Sequence, residues 1–208
     1  MKTELLSTGH PEAIERAAAV LKNGGLVAVP TDTVYGVAAL AHDSQAIERI
    51  YRVKERSENK AIAVLIGDIS QLSSVSASQT EPARRLAEAF WPGGLTLVLP
   101  RHASLPENLS PQPTIGVRMP DHAFTRRLLA LTGPLATSSG NLSGGPNPRN
   151  AQEVLAQLDG RIELVLDGGD APGGVPSTVV DCTGDGIVIL RQGAITPERL
   201  WQVLNNPT

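Results

Sequence analysis

Leu26-Val27-Ala28-Val29-Pro30-Thr31-Asp32-Thr33-Val34-Tyr35-Gly36 joins two kinds of sequence. The apolar residues 26–29 read as a short buried strand. Pro30 ends it, because proline has no N–H for a ladder. Residues 31–36 read as a polar loop closed by glycine. Upstream, Pro11 opens a helix whose apolar residues Ile14, Ala17, Ala18 and Leu21 recur at helical spacing, and Gly24-Gly25 stop it. Downstream, Asp43-Ser44 cap a helix carrying Ile47, Ile50 and Tyr51 and running out near Lys54, and 62–66 is a buried strand. Thr80 caps the next helix, with Pro82 in its first turn. Strands at 95–99 and 114–118 flank a proline-rich loop, 100–113. Asp121 caps a helix with Phe124, Leu128 and Leu131, closed by Gly133, and a short strand follows at 135–138. The Gly/Asn/Ser/Pro-rich stretch 139–148 is loop. Asn150, with Glu153 three residues on, opens a helix in the manner of a capping box. Strands at 162–166, 178–181 and 187–190 precede a final helix opened by Thr196-Pro197 and carrying Leu200, Val203 and Leu204. Strands alternate with helices, then crowd together near the end. The expectation is an α/β fold with a twisted mixed β-sheet flanked by helices.

The 208 residues, without repeat, charge block or linker, are expected to form a single domain, 1–208. Aromatic residues make up 3%, so the core is built from Val, Ile, Leu and Ala. A net charge of -3 argues against broad nucleic-acid binding, and any RNA contact needs a local basic patch. Cys182 is the only cysteine, which excludes a disulfide framework and a cysteine-rich zinc site. The first residues lack the apolar core of a signal peptide, and no apolar run approaches the ~20 residues of a membrane helix. The expected location is the cytoplasm.

Three polar, Gly-rich segments lie at strand ends: 31–36, 139–145 and 168–177. Ligands of open α/β sheets bind in crevices there. Neither phosphate-loop fingerprint occurs, nor does G-x-S-x-G. His10, His42, His102 and His122 sit in polar contexts and read as surface residues, while Cys182 reads as core. Lys54, Arg56, Lys60, Arg118, Arg149 and Arg191 all fall at element ends. They are either cations converging on one anion or a solvated face, and spacing alone favours the solvated face.

The ordered motifs decide between these. Pro30 to Gly36, Lys54-Glu55-Arg56, Phe90-Trp91-Pro92-Gly93-Gly94-Leu95-Thr96, Thr114 to Pro120, Ser139-Gly140-Asn141-Leu142-Ser143-Gly144, Ser177-Thr178-Val179-Val180-Asp181 and Arg191 follow one another as in the YrdC/TsaC family, which this chain resembles from about Gly24 to Gly193. The resemblance implies a YrdC-like fold with a concave cationic pocket. It implies an adenylyltransferase that makes L-threonylcarbamoyl-adenylate and pyrophosphate from ATP, bicarbonate and L-threonine. A separate tRNA threonylcarbamoyl transferase would use the product, and direct tRNA binding would be weak or absent. Carried over by motif, the catalytic cations are Lys54 and Arg56. ATP contacts fall on Lys54, Arg56, Lys60, Thr114, Asn141, Arg149 and Arg191; threonine contacts fall on Thr33, Arg118, Ser139 and Ser177. Mg²⁺ is implied with ATP, without an obvious protein ligand. The chain departs from the pattern at Ser57, where a proline often follows K-x-R, at Ala61, at Gly94 and at Thr137 to Gly140. Leu65 stands where some members carry a threonine-contacting histidine.

These residue types suit the chemistry. The amine captures carbon dioxide or bicarbonate as a carbamate, a carbamate oxygen attacks the α-phosphorus, and pyrophosphate leaves. Charge grows on phosphate oxygens, so fixed cations and positioning matter more than a covalent nucleophile. Arg118 offers a planar fork to an amino-acid carboxylate. Two other readings stand beside this one. A non-catalytic RNA-binding module for tRNA or ribosome maturation would use the same cations, although few aromatics are present for base stacking. A carbamoyl-adenylate-forming domain like that of hydrogenase maturation proteins would bring cysteine-rich zinc segments, which a single cysteine cannot supply.

Overall fold

The computed structural model describes residues 2–206. Helix starts follow local chemistry. Asp43 Oδ1 accepts from the Ala46 N–H at 3.0 Å, Thr80 Oγ1 from Ala83 at 3.3 Å and Asn150 Oδ1 from Glu153 at 3.0 Å, each satisfying an amide that the first turn leaves unpaired. One cap differs from expectation. His122, not Asp121, caps its helix, with Nδ1 accepting from the Thr125 N–H at 3.4 Å. Asp121 lies one residue too early and donates its own N–H to Asp32 Oδ1 at 3.0 Å.

In chain order the elements are β1 (Glu4–Ser7), α1 (Ala13–Lys22), β2 (Val27–Val29), β3 (Gly36–Leu40), α2 (Ser44–Lys54), β4 (Ala63–Leu65), α3 (Glu81–Phe90), β5 (Leu95–Pro100) and β6 (Thr114–Arg118). There follow α4 (Ala123–Thr132), β7 (Leu135–Ser139), α5 (Ala151–Leu158), β8 (Leu164–Asp167), β9 (Thr178–Asp181), β10 (Val188–Arg191) and α6 (Pro197–Asn205). Among the described residues the strands form one 10-stranded sheet, ordered β1-β8-β2-β3-β7-β4-β6-β5-β9-β10. The sheet is mixed. The pairs β1–β8, β2–β8, β4–β6 and β5–β9 are parallel, and the remaining neighbours are antiparallel. Sequence reading has no counterpart for β1 or β3.

Strand alternation sorts the core into two layers. Val37, Val64, Leu97, Val117, Ala136, Val165 and Val180 face one side, packed with Ile47 and Ile50 of α2, Leu86 of α3, Val154 and Leu158 of α5 and Leu200 of α6. Their neighbours Val27, Val29, Ala38, Leu65, Leu135, Leu164 and Leu166 face the other side, under Ala17 and Leu21 of α1 and Leu128 and Leu129 of α4. That second layer covers the end of its face that runs from β1 through β8, β2, β3 and β7 to Leu65 of β4. Farther along the same face lie Gly36, Ala63, Val98, Gly116 and Thr137, which floor a cavity instead.

Candidate active site

Three loops meet at this cavity because Tyr35 ties them together. Its carbonyl accepts from the Gly140 N–H at 2.8 Å, its own N–H donates to Pro148 O at 2.9 Å, and its hydroxyl donates to Gly169 O at 2.7 Å while accepting from the Gly168 N–H at 3.0 Å. The loop before it is fixed from inside. Thr31 Oγ1 donates to Val34 O at 2.7 Å and accepts from the Thr33 and Val34 N–H groups at 3.2 and 3.3 Å. Glycine at position 36 is a matter of space, since a Cβ there would sit 2.6 Å from Thr137 Cγ2.

The cavity holds about 390 Å³, and its wall includes Thr33, Arg56, Arg118, Ser139, Ser177 and Arg191, six of the sequence-predicted site residues. Three arginines and no aspartate or glutamate line it. Two of the arginines are held by neutral oxygens. Arg56 donates from Nη2 to Ala61 O at 2.8 Å and from Nε to Lys60 O at 3.3 Å. Arg191 donates from Nη2 to Ser177 O at 2.9 Å and Ser177 Oγ at 3.3 Å. Burial lowers both pKa values from their ordinary range, and Arg191 further lowers that of Arg56. A guanidinium stays charged regardless, and neither of these two is paired with a carboxylate among the described residues.

Arg118 differs. It is 7% exposed, and it donates from Nε to Gly93 O at 2.9 Å, from Nη1 to Thr33 Oγ1 at 2.7 Å and from Nη2 to Asp32 Oδ1 at 2.5 Å. Of its five N–H groups, two are left for a ligand. Asp32 goes unremarked in the sequence reading, yet it neutralises Arg118 and receives the Asp121 N–H.

The other predicted residues stand off the wall. Lys54 is 1% exposed, and its ammonium lies under the Ser139 loop, donating to Ser139 O and Asn141 O. Burial, aided by Arg56, pulls its pKa down to about 7. It therefore shapes the loop rather than reaching the cavity. Lys54 points inward because it continues the buried face of α2 carried by Ile47, Ile50 and Tyr51; Glu55 then adopts φ 52°, the left-handed conformation, and redirects the chain so that Arg56 lines the cavity. Asn141 is buried, with Nδ2 donating to Leu142 O and Gly145 O at 2.8 Å each, and Oδ1 has no partner among the described residues. Thr114 lies on the cavity face of β6, one step of the alternation beyond Gly116 and outside the wall. Lys60 is exposed, and Arg149 is exposed with its guanidinium against Gly174. Thr31, Thr96, Ser138 and Asn147 line the cavity without having been singled out as site residues, as does Leu65 at the departure from the family pattern. Strand alternation was the signal that could have found Thr96, two residues before Val98 on the same face.

A mixed sheet flanked by helices, with one face half covered and a hollow walled by three arginines on the uncovered half, defines the class as an α/β protein. The chain belongs to the Sua5/YciO/YrdC family, whose model, described as "Telomere recombination", matches residues 19–193. It is 44% identical over 208 residues to the threonylcarbamoyl-AMP synthase of Bacillus subtilis (strain 168), covering 97% of this chain and 59% of that protein. It is 39% identical over 193 residues to the threonylcarbamoyl-AMP synthase of Pyrococcus abyssi, covering 92% and 57%. The chain thus spans less than two thirds of the length of these two relatives. The crystal structure of P. abyssi Sua5 complexed with L-threonine superposes with a TM-score of 0.93 at 37% identity, covering 98% of this chain and 61% of that one. Among the described residues no helix is long and apolar enough to cross a membrane.

Proposed function

We propose that the chain is an L-threonylcarbamoyl-adenylate synthase, an adenylyltransferase that joins L-threonine, bicarbonate and ATP with release of pyrophosphate. The observation that carries this reading is the cavity wall: Arg56 and Arg191 uncompensated, Arg118 among the hydroxyls of Thr33, Ser139 and Ser177, and no carboxylate facing in. The relatives' name and the threonine complex of P. abyssi Sua5 supply the substrates.

In this reading Arg118 holds the amino-acid carboxylate through its two uncommitted N–H groups. The hydroxyls of Thr33, Ser139 and Ser177 orient the amine and the carbamate oxygens without filling the pocket. Arg56 and Arg191 hold the triphosphate, and the attack requires the α-phosphorus in line with the carbamate oxygen. Both stabilise charge that grows on phosphate oxygens as the bond to pyrophosphate breaks, and they do so without reorganising, because backbone carbonyls already fix them. Lys54 keeps the Ser139 loop in place. Mg²⁺ would enter with ATP and neutralise the departing pyrophosphate; with no acidic residue on the wall and no cluster of three metal-ligating side chains among the described residues, phosphate and water would hold it. The product would pass to a tRNA threonylcarbamoyl transferase. Direct tRNA binding would be weak and salt-dependent, and the place of action would be the cytoplasm.

The test is pyrophosphate release by the purified chain with Mg²⁺. Release should require ATP, bicarbonate and L-threonine together and yield an adenylate of matching mass. Equal ATP consumption without threonine would reject the synthase reading.

A further inference from the structure

Thr96 lies on the cavity wall and has no part in the chemistry above. It is 6% exposed. It precedes Leu97, which pairs with Val117, so it stands across the strands from Arg118; on its other side it pairs with Val179 of β9. Its two γ substituents point different ways. The methyl covers Gly116, where an added Cβ would come within 3.1 Å of Thr96 Cγ2. The hydroxyl lies 2.8 Å from Ser177 Oγ.

The protons of this pair can be counted. Ser177 Oγ accepts from Arg191 Nη2 at 3.3 Å. Two hydroxyls carry two protons, and one of them lies between the two oxygens. Neither oxygen has another acceptor among the described residues. The second proton therefore faces the cavity, where water accepts it in the empty protein and a ligand oxygen accepts it when the site is filled. With Arg118 opposite and Arg191 behind, an anionic oxygen is the acceptor this corner favours.

We propose that Thr96 touches substrate, its hydroxyl acting with that of Ser177 as a pair that presents one O–H to an anionic oxygen of the amino acid held beside Arg118. The proposal rests on the synthase reading and adds a substrate-binding residue to it. The methyl is the structural half of the side chain and the hydroxyl the binding half, so substitutions separate the two. Thr96→Val keeps the shape and removes the donor, Thr96→Ser keeps the donor and removes the methyl, and Thr96→Ala removes both.

Calorimetric titration of L-threonine into the full chain, with ATP titrated as a control, decides the matter. Thr96→Val and Thr96→Ala should bind L-threonine about ten- to a hundredfold more weakly, as expected for one hydrogen bond to a charged group. Thr96→Ser should stay within about threefold of wild type, and ATP affinity should change little in all three. If Val does not fold, the Ser and Ala pair carries the same comparison. Threonine affinity that follows the methyl, with Val normal or with Ser as weak as Ala, overturns the role of Thr96 and leaves the synthase reading standing. A wild-type chain that binds no L-threonine overturns both.

Discussion

In the proposed synthase reading, Arg118 does two jobs with one guanidinium. Three of its N–H groups tie Asp32, Thr33 and Gly93 together, and two remain for a carboxylate. Its burial beside a single carboxylate makes truncation severe: Arg118→Ala leaves the Asp32 carboxylate, itself largely buried, without its cation. Losses of roughly 3–5 kcal/mol are typical when one member of a buried pair is removed. Arg118→Lys keeps the charge, yet a point-like ammonium cannot reach three acceptors spread around a planar fork. Both variants should melt earlier than wild type and bind L-threonine more weakly, the lysine variant less severely in each respect, while ATP affinity falls less than threonine affinity. Melting curves and paired titrations check this. A variant that melts early but titrates threonine normally would confine Arg118 to its structural job. Arg118, Thr33, Ser139, Ser177, Arg56 and Arg191 were legible in the sequence because each sits in a motif at an element end. Asp32 was quoted within its motif but not singled out, because its role depends on a contact 86 positions away, which local spacing cannot express.

At the scale of elements, the end of α2 shows how two cations at neighbouring positions come to serve different ends. Glu55 in the left-handed conformation is the pivot; such a residue costs about 1–2 kcal/mol outside glycine. Helical position buries Lys54 beneath the Ser139 loop, and the reversal after it sends Arg56 to the cavity. Helical spacing sets Lys54 apart, four residues after Ile50 on the apolar face, whereas the placement of Arg56 depends on the pivot, which spacing does not express. The elements themselves read well where caps and periodicity were clear, as at Asp43, Thr80 and Asn150. They read poorly where burial on both faces erased alternation, as in β3, whose Gly-Val-Ala-Ala-Leu has Val37 as its one strong strand former. Burial of Lys54 has a consequence for pH. Its pKa is about 7 in the fold and ordinary, near 10.5, in the unfolded chain. Between those values the unfolded chain holds more protons, so stability rises with pH across that window and is lost as pH falls through 7. Relative to Lys54→Met, which cannot titrate, wild type should gain stability from pH 6.5 to 8.5 at no more than about 1.4 kcal/mol per pH unit. Urea unfolding of both proteins at the two pH values measures it. A constant difference would show that Lys54 keeps its proton on Ser139 O and Asn141 O.

The whole molecule carries a net charge of -3 yet concentrates three arginines on a wall without acids. The sheet makes this possible. Four helices seal one face, two seal half of the other, and the remaining half stays open above small residues. A hollow of like charges is a standing cost to the empty protein, because Arg191 lowers the pKa of both Arg56 and Arg118, a sign of mutual repulsion. The same hollow gains when an anion enters, and binding to the folded state alone adds about 2.7 kcal/mol of stability at a ligand concentration a hundred times Kd. Arg56→Ala and Arg191→Ala should therefore leave the melting temperature of the empty protein unchanged or slightly raised, since neither arginine is paired with a carboxylate. Each should also reduce the rise in melting temperature that ATP produces, and the double variant should nearly abolish it. The ATP-induced rise in wild type should shrink as salt increases, because part of the binding is attraction to a cavity open to solvent ions. Thermal melts of the four proteins with and without ATP, at two salt concentrations, test the whole scheme. If Arg56→Ala and Arg191→Ala each melt well below wild type when empty, yet keep the full ATP-induced rise, then both arginines are structural struts and the triphosphate lies elsewhere.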